Sequence, residues 1–171
     1  AAWFWRVRLH HILRTVDGWE AERRTHITAV ATEVPLEECW RLSDGSNFTL
    51  HGRADRIETL PDGARLIVDY KTGSIPTAKA LAKGERLQLL AYALLIDEKF
   101  PVEAIEYWGL PQSHTSGIRE HFPLSESALQ QLKHDIMQWV EKMMHPDMAF
   151  LVYPHGAPRW KNPEEDGISR Y

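Results

Sequence analysis

Two strand-like segments joined by a tight turn constrain the fold more than any other part of this sequence. Residues 52–57 and 66–73 flank a connection that contains Pro61, Asp62 and Gly63. These three residues have the preferences of a tight turn, because proline fixes φ, aspartate bonds its own backbone and glycine accepts positive φ. The sequence therefore predicts that the two segments form one β-hairpin.

The hairpin concentrates charged side chains on one of its faces. Alternation along the second strand gives two sets, Ile67, Asp69 and Lys71 on one face and Leu66, Val68 and Tyr70 on the other. Pairing across the hairpin brings Asp55 beside Asp69. Two neighbouring carboxylates repel each other unless one is protonated or a cation neutralises both. Because Mg²⁺ accepts hard oxygen ligands, a metal site is the more specific of these two interpretations.

A helix is predicted immediately after the hairpin. Residues 84–95 have helical spacing, with an apolar side composed of Leu87, Leu90, Ala91, Leu94 and Leu95. Gln88 and Tyr92 are four positions apart and therefore stack on one face of this helix. Both side chains are predicted to reach the same polar site.

Three motifs in this order resemble a known family. Gly-x-x-Asp-Arg-Ile at residues 52–57, Ile-Val-Asp-Tyr-Lys-Thr-Gly at residues 67–73 and Gln-x-x-x-Tyr at residues 88–92 are similar to motifs of the PD-(D/E)XK nuclease superfamily. Within it, the resemblance is to RecB-type exonucleases and AddB-like nuclease domains of bacterial helicase–nuclease complexes. Asp-x-Lys alone is frequent by chance, whereas three ordered motifs are far more specific.

The resemblance implies a catalytic centre for phosphodiester hydrolysis. Asp55 and Asp69 would hold Mg²⁺ or Mn²⁺, with the backbone carbonyl of Tyr70 as a further ligand. Lys71 would orient or activate the attacking water and counter the phosphate charge. The alternative interpretation is a surface ion pair between Asp69 and Lys71, which would be worth about 0 to 1 kcal/mol.

Glu33 is a further candidate ligand. It closes a β-branched run, residues 26–34, that Pro35 is predicted to end. Alternation places Glu33 on the side of Ala29 and Ala31, where a buried carboxylate would need a partner or an ion. The resembling nucleases also carry a glutamate on this strand. The alternative is a strand-end glutamate that faces water.

Substrate contacts are expected from polar and basic residues around the centre. The resemblance places Gln88 and Tyr92 beside the site. The net charge of −4 means that DNA binding must depend on local clusters of cations. The candidate cations are Arg53, Arg56, Lys79, Lys83 and Arg86. The alternative for this basic segment is an ordinary solvated helix flank.

The remaining elements complete an α/β domain. A helix over residues 3–24, which Asp17 and Gly18 could interrupt, carries an apolar side of Trp5, Leu9, Ile12, Leu13 and Val16. Strands are predicted at residues 103–110 and 119–124. Ser125 can cap a last helix that ends near Pro146, with a core stripe of Leu129, Leu132, Ile136, Trp139, Val140 and Met143. Residues 153–171 are predicted to be loop-like. This order predicts one nuclease-like domain over residues 1–171, with a restriction-endonuclease-like αβββαβ core whose mixed β-sheet is flanked by helices.

Two departures from the resembling family qualify the expected activity. RecB-type nucleases carry a metal-binding histidine upstream, whereas His10, His11 and His51 are predicted to be structural or exposed. The chain is therefore expected to be a piece of a larger protein. The tail has no cysteine, and Cys39 is the sole cysteine of the sequence, so no iron–sulfur cluster is expected.

These observations predict a Mg²⁺-dependent DNA nuclease of RecB exonuclease type that acts in recombination or repair, with exonuclease and endonuclease action both left open. Its expected partners are DNA and a helicase domain or subunit. No apolar run could span a bilayer and no signal peptide is evident, so a cytoplasmic protein without membrane contact is expected. The alternative is a catalytically inactive nuclease-fold module that binds DNA or a partner subunit.

Overall fold

A computed structural model of the chain describes residues 2–111 and 116–145, apart from the side chains of Ala2 and Phe4. The elements, in chain order, are α1 (Ala2–Arg23), β1 (Ala29–Arg41), β2 (Asn47–Thr59), β3 (Arg65–Lys71), α2 (Ala78–Ala82), α3 (Gln88–Asp97), β4 (Val102–Gly109), β5 (Ile118–Pro123) and α4 (Glu126–Met144). The predicted order of helix, three strands, helix and strand is confirmed. The predicted loop-like tail lies outside the described residues.

The strands form one mixed sheet in the order β1-β2-β3-β4-β5. Three neighbouring pairs are antiparallel, and β3 with β4 is parallel, since α2 and α3 carry the chain back across the sheet between them. The predicted hairpin is β2–β3. Gly63 has φ 91° in its turn, and the Leu60 amide donates to the Ala64 carbonyl at 2.9 Å.

Helices cover both faces of this sheet. On the front face, Ile67 and Ile105 pack with Leu89 of α3 and Leu129 of α4. The back face is a smaller cluster of Leu66, Val68, Ala104 and Trp108, against which Trp19 of α1 and Tyr70 pack. Alternation along β3 therefore separates its two sets of side chains as predicted.

Strand β1 is longer than predicted and passes through Pro35. It begins at Ala29 and continues to Arg41, pairing with β2 throughout most of this length. The prediction that Pro35 ends the strand was wrong. β1 is an edge strand, and a proline is tolerated there because its missing N–H leaves no neighbouring strand without a donor.

The β1–β2 ladder is interrupted at Glu33. It pairs Thr32 with Arg56 and Val34 with Ala54, but has no pair between these two within the described sheet. Glu33 has φ +52°, a left-handed conformation that strains residues with a β-carbon. Such irregularities in a strand redirect the neighbouring side chains and are common next to functional sites.

The facing level of β2 contains Asp55, and there too the alternation changes phase. Ala54 and Ile57 both pack in the front cluster although they are three positions apart. Regular alternation would place them on opposite faces. Asp55 therefore lies at the point of β2 where the alternation between front-facing and back-facing side chains is reset.

Helix α1 differs from its prediction in two ways. It continues through Gly18 to Arg23 without a break. Much of its predicted apolar side is solvent-exposed, since Trp5, Leu9 and Leu13 are 62%, 56% and 57% exposed. The C-terminal third of α1, which carries Trp19 and Arg23, makes the contacts with the back face.

The helices on the front face also begin and pack differently from expectation. The predicted helix of residues 84–95 begins at Gln88, because Gly84 at φ +71° ends the short preceding helix α2. Leu89 is fully buried, whereas the predicted core residue Leu87 is 40% exposed. On α4, Ser125 caps the helix as predicted, but Trp139 is 61% exposed rather than part of the core.

Candidate active site

The two aspartates of the hairpin lie together where the β2–β3 ladder ends. The last ladder pair is Arg56 with Val68, and the next level beyond it has Asp55, which precedes Arg56, and Asp69, which follows Val68. The backbone amide of Tyr70 donates to Oδ2 of Asp55 at 3.3 Å. The charge of Asp55 also contributes to the raised pKa of Asp69. The predicted proximity of the two carboxylates is thus present in the structure.

Asp69 is the more buried carboxylate and is 5% exposed. The Lys71 ammonium lies 2.7 Å from Oδ2 of Asp69, an atom that is otherwise buried without a hydrogen-bond partner. Burial raises the pKa of Asp69, Lys71 lowers it, Asp55 raises it further, and the net direction is upward. One ammonium therefore compensates only part of the cost of burying this charge beside a second carboxylate.

The two carboxylates fit a hard divalent cation. Within residues 2–111 and 116–145, no group of three or more His, Cys, Asp or Glu side chains is placed to hold a metal. Mg²⁺ commonly keeps several waters and binds through only one or two carboxylates. The incompletely partnered Oδ2 of Asp69 and the adjacent Asp55 satisfy that lower requirement.

Glu33 does not face a core. Its side chain is 68% exposed and lies 3.6 Å from Nη1 of Arg53. Of the two interpretations of Glu33, the structure has the glutamate that faces water, since Ala29 and Ala31 are exposed as well and alternation is interrupted at Glu33 itself. Glu33 lies on β1 level with Asp55 on β2, but among the described residues it forms no metal-competent group with the two aspartates.

Tyr107 is a neighbour of the site that the sequence reasoning missed. It is paired with Asp69 across the parallel β3–β4 ladder and is 2% exposed. The Lys71 ammonium lies 5.9 Å from the centre of its ring. Burial and then the charge of Asp69 raise the pKa of Tyr107, and the charge of Arg86 lowers it. The net effect raises the pKa of Tyr107 to about 12. No local motif marks Tyr107, because its proximity depends on the crossover between β3 and β4.

Gln88 and Tyr92 share one face of α3, as predicted. Nε2 of Gln88 donates to the Tyr92 hydroxyl at 3.1 Å. The Tyr92 ring lies against Gly52, where an added β-carbon would be 2.3 Å from Cε1. The first and third motifs are therefore in direct contact, and glycine at position 52 leaves room for the ring.

The candidate cations separate into two groups. Arg53, Lys79, Lys83 and Arg86 are solvent-exposed, and the charge of Arg86 lowers the pKa of Tyr107 against the larger effects that raise it. Arg56 is instead 4% exposed and is paired with glutamates on the back face. The expectation that Arg56 contacts DNA was wrong, because its guanidinium is buried on the back face, where Glu20 and Glu58 bind it.

The three histidines considered as ligands lie apart from any metal-binding cluster. His10, His11 and His51 are exposed, and they belong to no metal-competent group among the described residues. Cys39 is likewise an exposed free thiol. No helix in the described part of the chain is long and apolar enough to cross a membrane.

The chain is similar to curated proteins of unassigned function and, weakly, to a solved structure. An uncharacterised protein of Rickettsia typhi and one of Rickettsia bellii are each 33% identical over 94 residues, covering 55% of this chain. The matched segment is only 11% of either relative, so the chain spans about a tenth of their length. The crystal structure of SSO0001 superposes with a TM-score of 0.42 at 21% identity, covering 64% of this chain and 50% of that one. A likeness at this TM-score establishes neither a shared fold nor a shared function.

The family model of the PD-(D/E)XK nuclease superfamily matches residues 2–157, almost the whole chain. The mixed five-stranded sheet with flanking helices agrees with the restriction-endonuclease-like fold of that superfamily. Asp55, Asp69 and Lys71 lie together on its second and third strands. The chain therefore belongs to the PD-(D/E)XK nuclease superfamily.

Proposed function

We propose that this domain is a metal-dependent DNA nuclease whose centre is Asp55, Asp69 and Lys71. One observation carries the proposal. Oδ2 of Asp69 is buried beside a second carboxylate, with only the Lys71 ammonium at 2.7 Å to compensate it. A site that serves stability alone gains little from two adjacent carboxylates, whereas a cation-binding site requires them.

The proposed reaction is hydrolysis of a phosphodiester. A water attacks phosphorus, one phosphorus–oxygen bond breaks, and the leaving oxygen takes a proton. Mg²⁺ or Mn²⁺ at the site would supply a more acidic bound water and stabilise charge on the phosphate oxygens. Asp55 and Asp69 would hold the cation, together with the Tyr70 carbonyl. Lys71 orients the attacking water and counters the phosphate charge.

The finer identity that we propose is a RecB-type exonuclease that acts in recombination or repair. The ordered motifs support this subtype, and the length of the Rickettsia relatives leaves room for a helicase domain or a partner subunit. DNA would approach over Gln88 and Tyr92. The exposed cations that would contact its phosphates are Arg53, Lys79, Lys83 and Arg86.

A second candidate is a module that binds DNA or a partner without cleaving. It is favoured by the lack of a third metal-binding side chain next to the aspartates in the described part of the chain. The two functions predict different metal behaviour. A catalytic centre binds Mn²⁺ through Asp55 and Asp69, so replacement of either residue weakens Mn²⁺ binding. In a non-catalytic module, replacement of either residue leaves Mn²⁺ binding unchanged.

A cleavage assay tests the proposed function. Purified protein is incubated with end-labelled single-stranded and duplex DNA in Mg²⁺, Mn²⁺ or Ca²⁺. We expect cleavage in Mg²⁺ or Mn²⁺, and losses of about 100-fold or more in Asp69→Asn and Lys71→Met, because each removes a group that touches the reacting atoms. Labelling of either end distinguishes exonuclease from endonuclease products.

Asp62→Asn is the matched control, since Asp62 is an exposed carboxylate in the hairpin turn of the same two strands. Its activity should equal that of the wild type. Cleavage that persists in Asp69→Asn would show that a contaminating nuclease or a different site cuts the DNA. No metal-dependent cleavage by the wild type would favour the non-catalytic module.

A further inference from the structure

A side-chain contact on the back face joins the two strands at the level of the aspartates. Arg56 follows Asp55 on β2, and Tyr70 follows Asp69 on β3. Nη1 of Arg56 donates to the Tyr70 hydroxyl at 3.2 Å. The residues next to the two carboxylates in the motifs are therefore bonded to each other on the opposite side of the sheet.

This contact lies where the backbone pairing of the hairpin stops. The β2–β3 ladder covers four pairs, from Thr59 with Arg65 to Arg56 with Val68. Beyond Arg56, the described part of the hairpin has no further ladder pair to fix the separation of the strands. The hydrogen bond from Arg56 to the Tyr70 hydroxyl thus joins the two strands immediately beyond their last backbone ladder pair.

The guanidinium of Arg56 is itself fixed from three sides. Its Nε donates to Oε1 of Glu58 at 2.7 Å, and its Nη2 donates to Oε2 of Glu20 at 3.2 Å. Glu20 also accepts from Nη1 and belongs to α1, 36 residues earlier. The Trp108 ring lies 5.2 Å from the guanidinium carbon. A planar, forked and always charged group with these partners has little freedom to rotate.

The front of the sheet depends on the position of the same residues. The Tyr70 amide donates to Oδ2 of Asp55 at 3.3 Å, so a shift of Tyr70 displaces one candidate ligand directly. A shift of β3 relative to β2 also changes the separation of Asp55 from Asp69. A two-carboxylate cation site tolerates such changes poorly, since Mg²⁺ requires near-ideal octahedral geometry.

We infer that Arg56, held by Glu20 of α1 and bonded to Tyr70, is a positioning residue that sets the geometry of the Asp55–Asp69 pair from the back of the sheet. The inference rests on the proposed function. It also gives α1 a role in the site, because removal of the Glu20 carboxylate releases the guanidinium that holds Tyr70. Residues that orient metal ligands in this way typically change metal affinity by about 10- to 100-fold when replaced.

The test uses two mild substitutions and a matched control. Tyr70→Phe removes the hydroxyl and keeps the ring, which packs edge-on against Trp108 at 5.7 Å. Glu20→Gln removes the charge that holds Arg56. Glu22→Gln is the control, because Glu22 also ties α1 to the sheet, through Arg119 at 2.6 Å, but contacts neither member of the Arg56–Tyr70 pair.

Two readouts are measured on each protein. Mn²⁺ affinity is obtained by titration with electron paramagnetic resonance of the free ion. Hydrogen exchange of the backbone amide at position 70 is followed by NMR without metal. We expect about tenfold weaker Mn²⁺ binding and about tenfold faster exchange in Tyr70→Phe and Glu20→Gln. Glu22→Gln should match the wild type in both, and thermal unfolding checks that all variants remain folded.

Unchanged Mn²⁺ affinity in both Tyr70→Phe and Glu20→Gln would overturn the inference, as would an equal loss in Glu22→Gln. Failure of the proposed function gives a different result. If the wild type binds no Mn²⁺ through its aspartates, the proposed function is refuted. Hydrogen exchange of the amide at position 70 is then the only test of the positioning role of Arg56. Faster exchange in Tyr70→Phe then supports the positioning role of Arg56, and unchanged exchange overturns it.

Discussion

Replacing Gly52 by alanine tests whether the first and third motifs are packed as the structure has them. A β-carbon at position 52 would lie 2.3 Å from Cε1 and 3.1 Å from Cζ of Tyr92. Real β-carbons essentially never approach another heavy atom below 3.0 Å, so either the ring or strand β2 must move. The Tyr92 ring is half-buried and packs against the front cluster, which limits its retreat from β2.

The magnitude follows from two opposing effects. Alanine in a strand is favoured over glycine by about 0.5–1 kcal/mol, because glycine loses more backbone entropy on folding. Overpacking of this kind costs about 1–3 kcal/mol. We therefore expect Gly52→Ala to lower the free energy of unfolding by about 1 kcal/mol, within a range of about 0–2.5 kcal/mol. The displaced ring should also weaken the hydrogen bond that Tyr92 accepts from Gln88.

Urea unfolding of a double-mutant cycle measures this effect. Gly52→Ala is made in the wild type and in Tyr92→Ala, where the clash is absent and the substitution should become neutral or stabilising. Gly73→Ala is the control, because a β-carbon there meets no atom within 4 Å. An equal loss of stability from Gly52→Ala in both backgrounds would refute the contact between Gly52 and Tyr92.

Two further predictions concern pH and salt. Burial raises the pKa of Glu106, but hydrogen bonds from Trp108 and His121 and the charge of Arg23 outweigh it, so the pKa is lowered overall. The folded protein then binds this proton less readily than the unfolded chain, and stability present above about pH 4.5 is lost as the pH falls further. Glu106→Gln should flatten this loss in urea unfolding between about pH 5 and pH 3, and an unchanged slope would contradict the cause given. Replacing Lys79 and Lys83 together by alanine should reduce the slope of log affinity for duplex DNA against log salt by up to about 1.8, without changing Mn²⁺ binding. An unaltered slope, measured in Ca²⁺, would exclude this segment from the DNA path.

The hairpin and its charged residues were predictable because short-range rules govern them. The turn at residues 60–64 needs only its own Pro-Asp-Gly sequence, and the alternation along β3 needs only the strand period. Together they place Asp69 and Lys71 on one face beside Asp55. Four-residue spacing is likewise enough to bring Gln88 to Tyr92 on α3.

The remaining features depend on contacts that no local pattern reveals. The left-handed φ of Glu33 resets alternation along β1, and nothing in its neighbours marks that position, so alternation could not decide between a buried Glu33 and the water-facing one in the structure. Arg56 was assigned to the DNA surface because it follows Asp55 in sequence, whereas its burial depends on Glu20 of a distant helix, which no local pattern reveals. Tyr107 was missed because only the parallel pairing of β3 with β4 brings it to Asp69.

The central claim is that Asp55 and Asp69 together form a cation site, and Mn²⁺ binding to the metal-free protein tests it most directly. Wild type, Asp55→Asn, Asp69→Asn and the control Asp62→Asn are titrated under identical conditions. We expect one or two Mn²⁺ ions to bind the wild type and Asp62→Asn alike. Each of the other two substitutions should weaken binding by at least about 10-fold, since each removes half of the carboxylate pair. Equal Mn²⁺ affinity in all four proteins would contradict the claim.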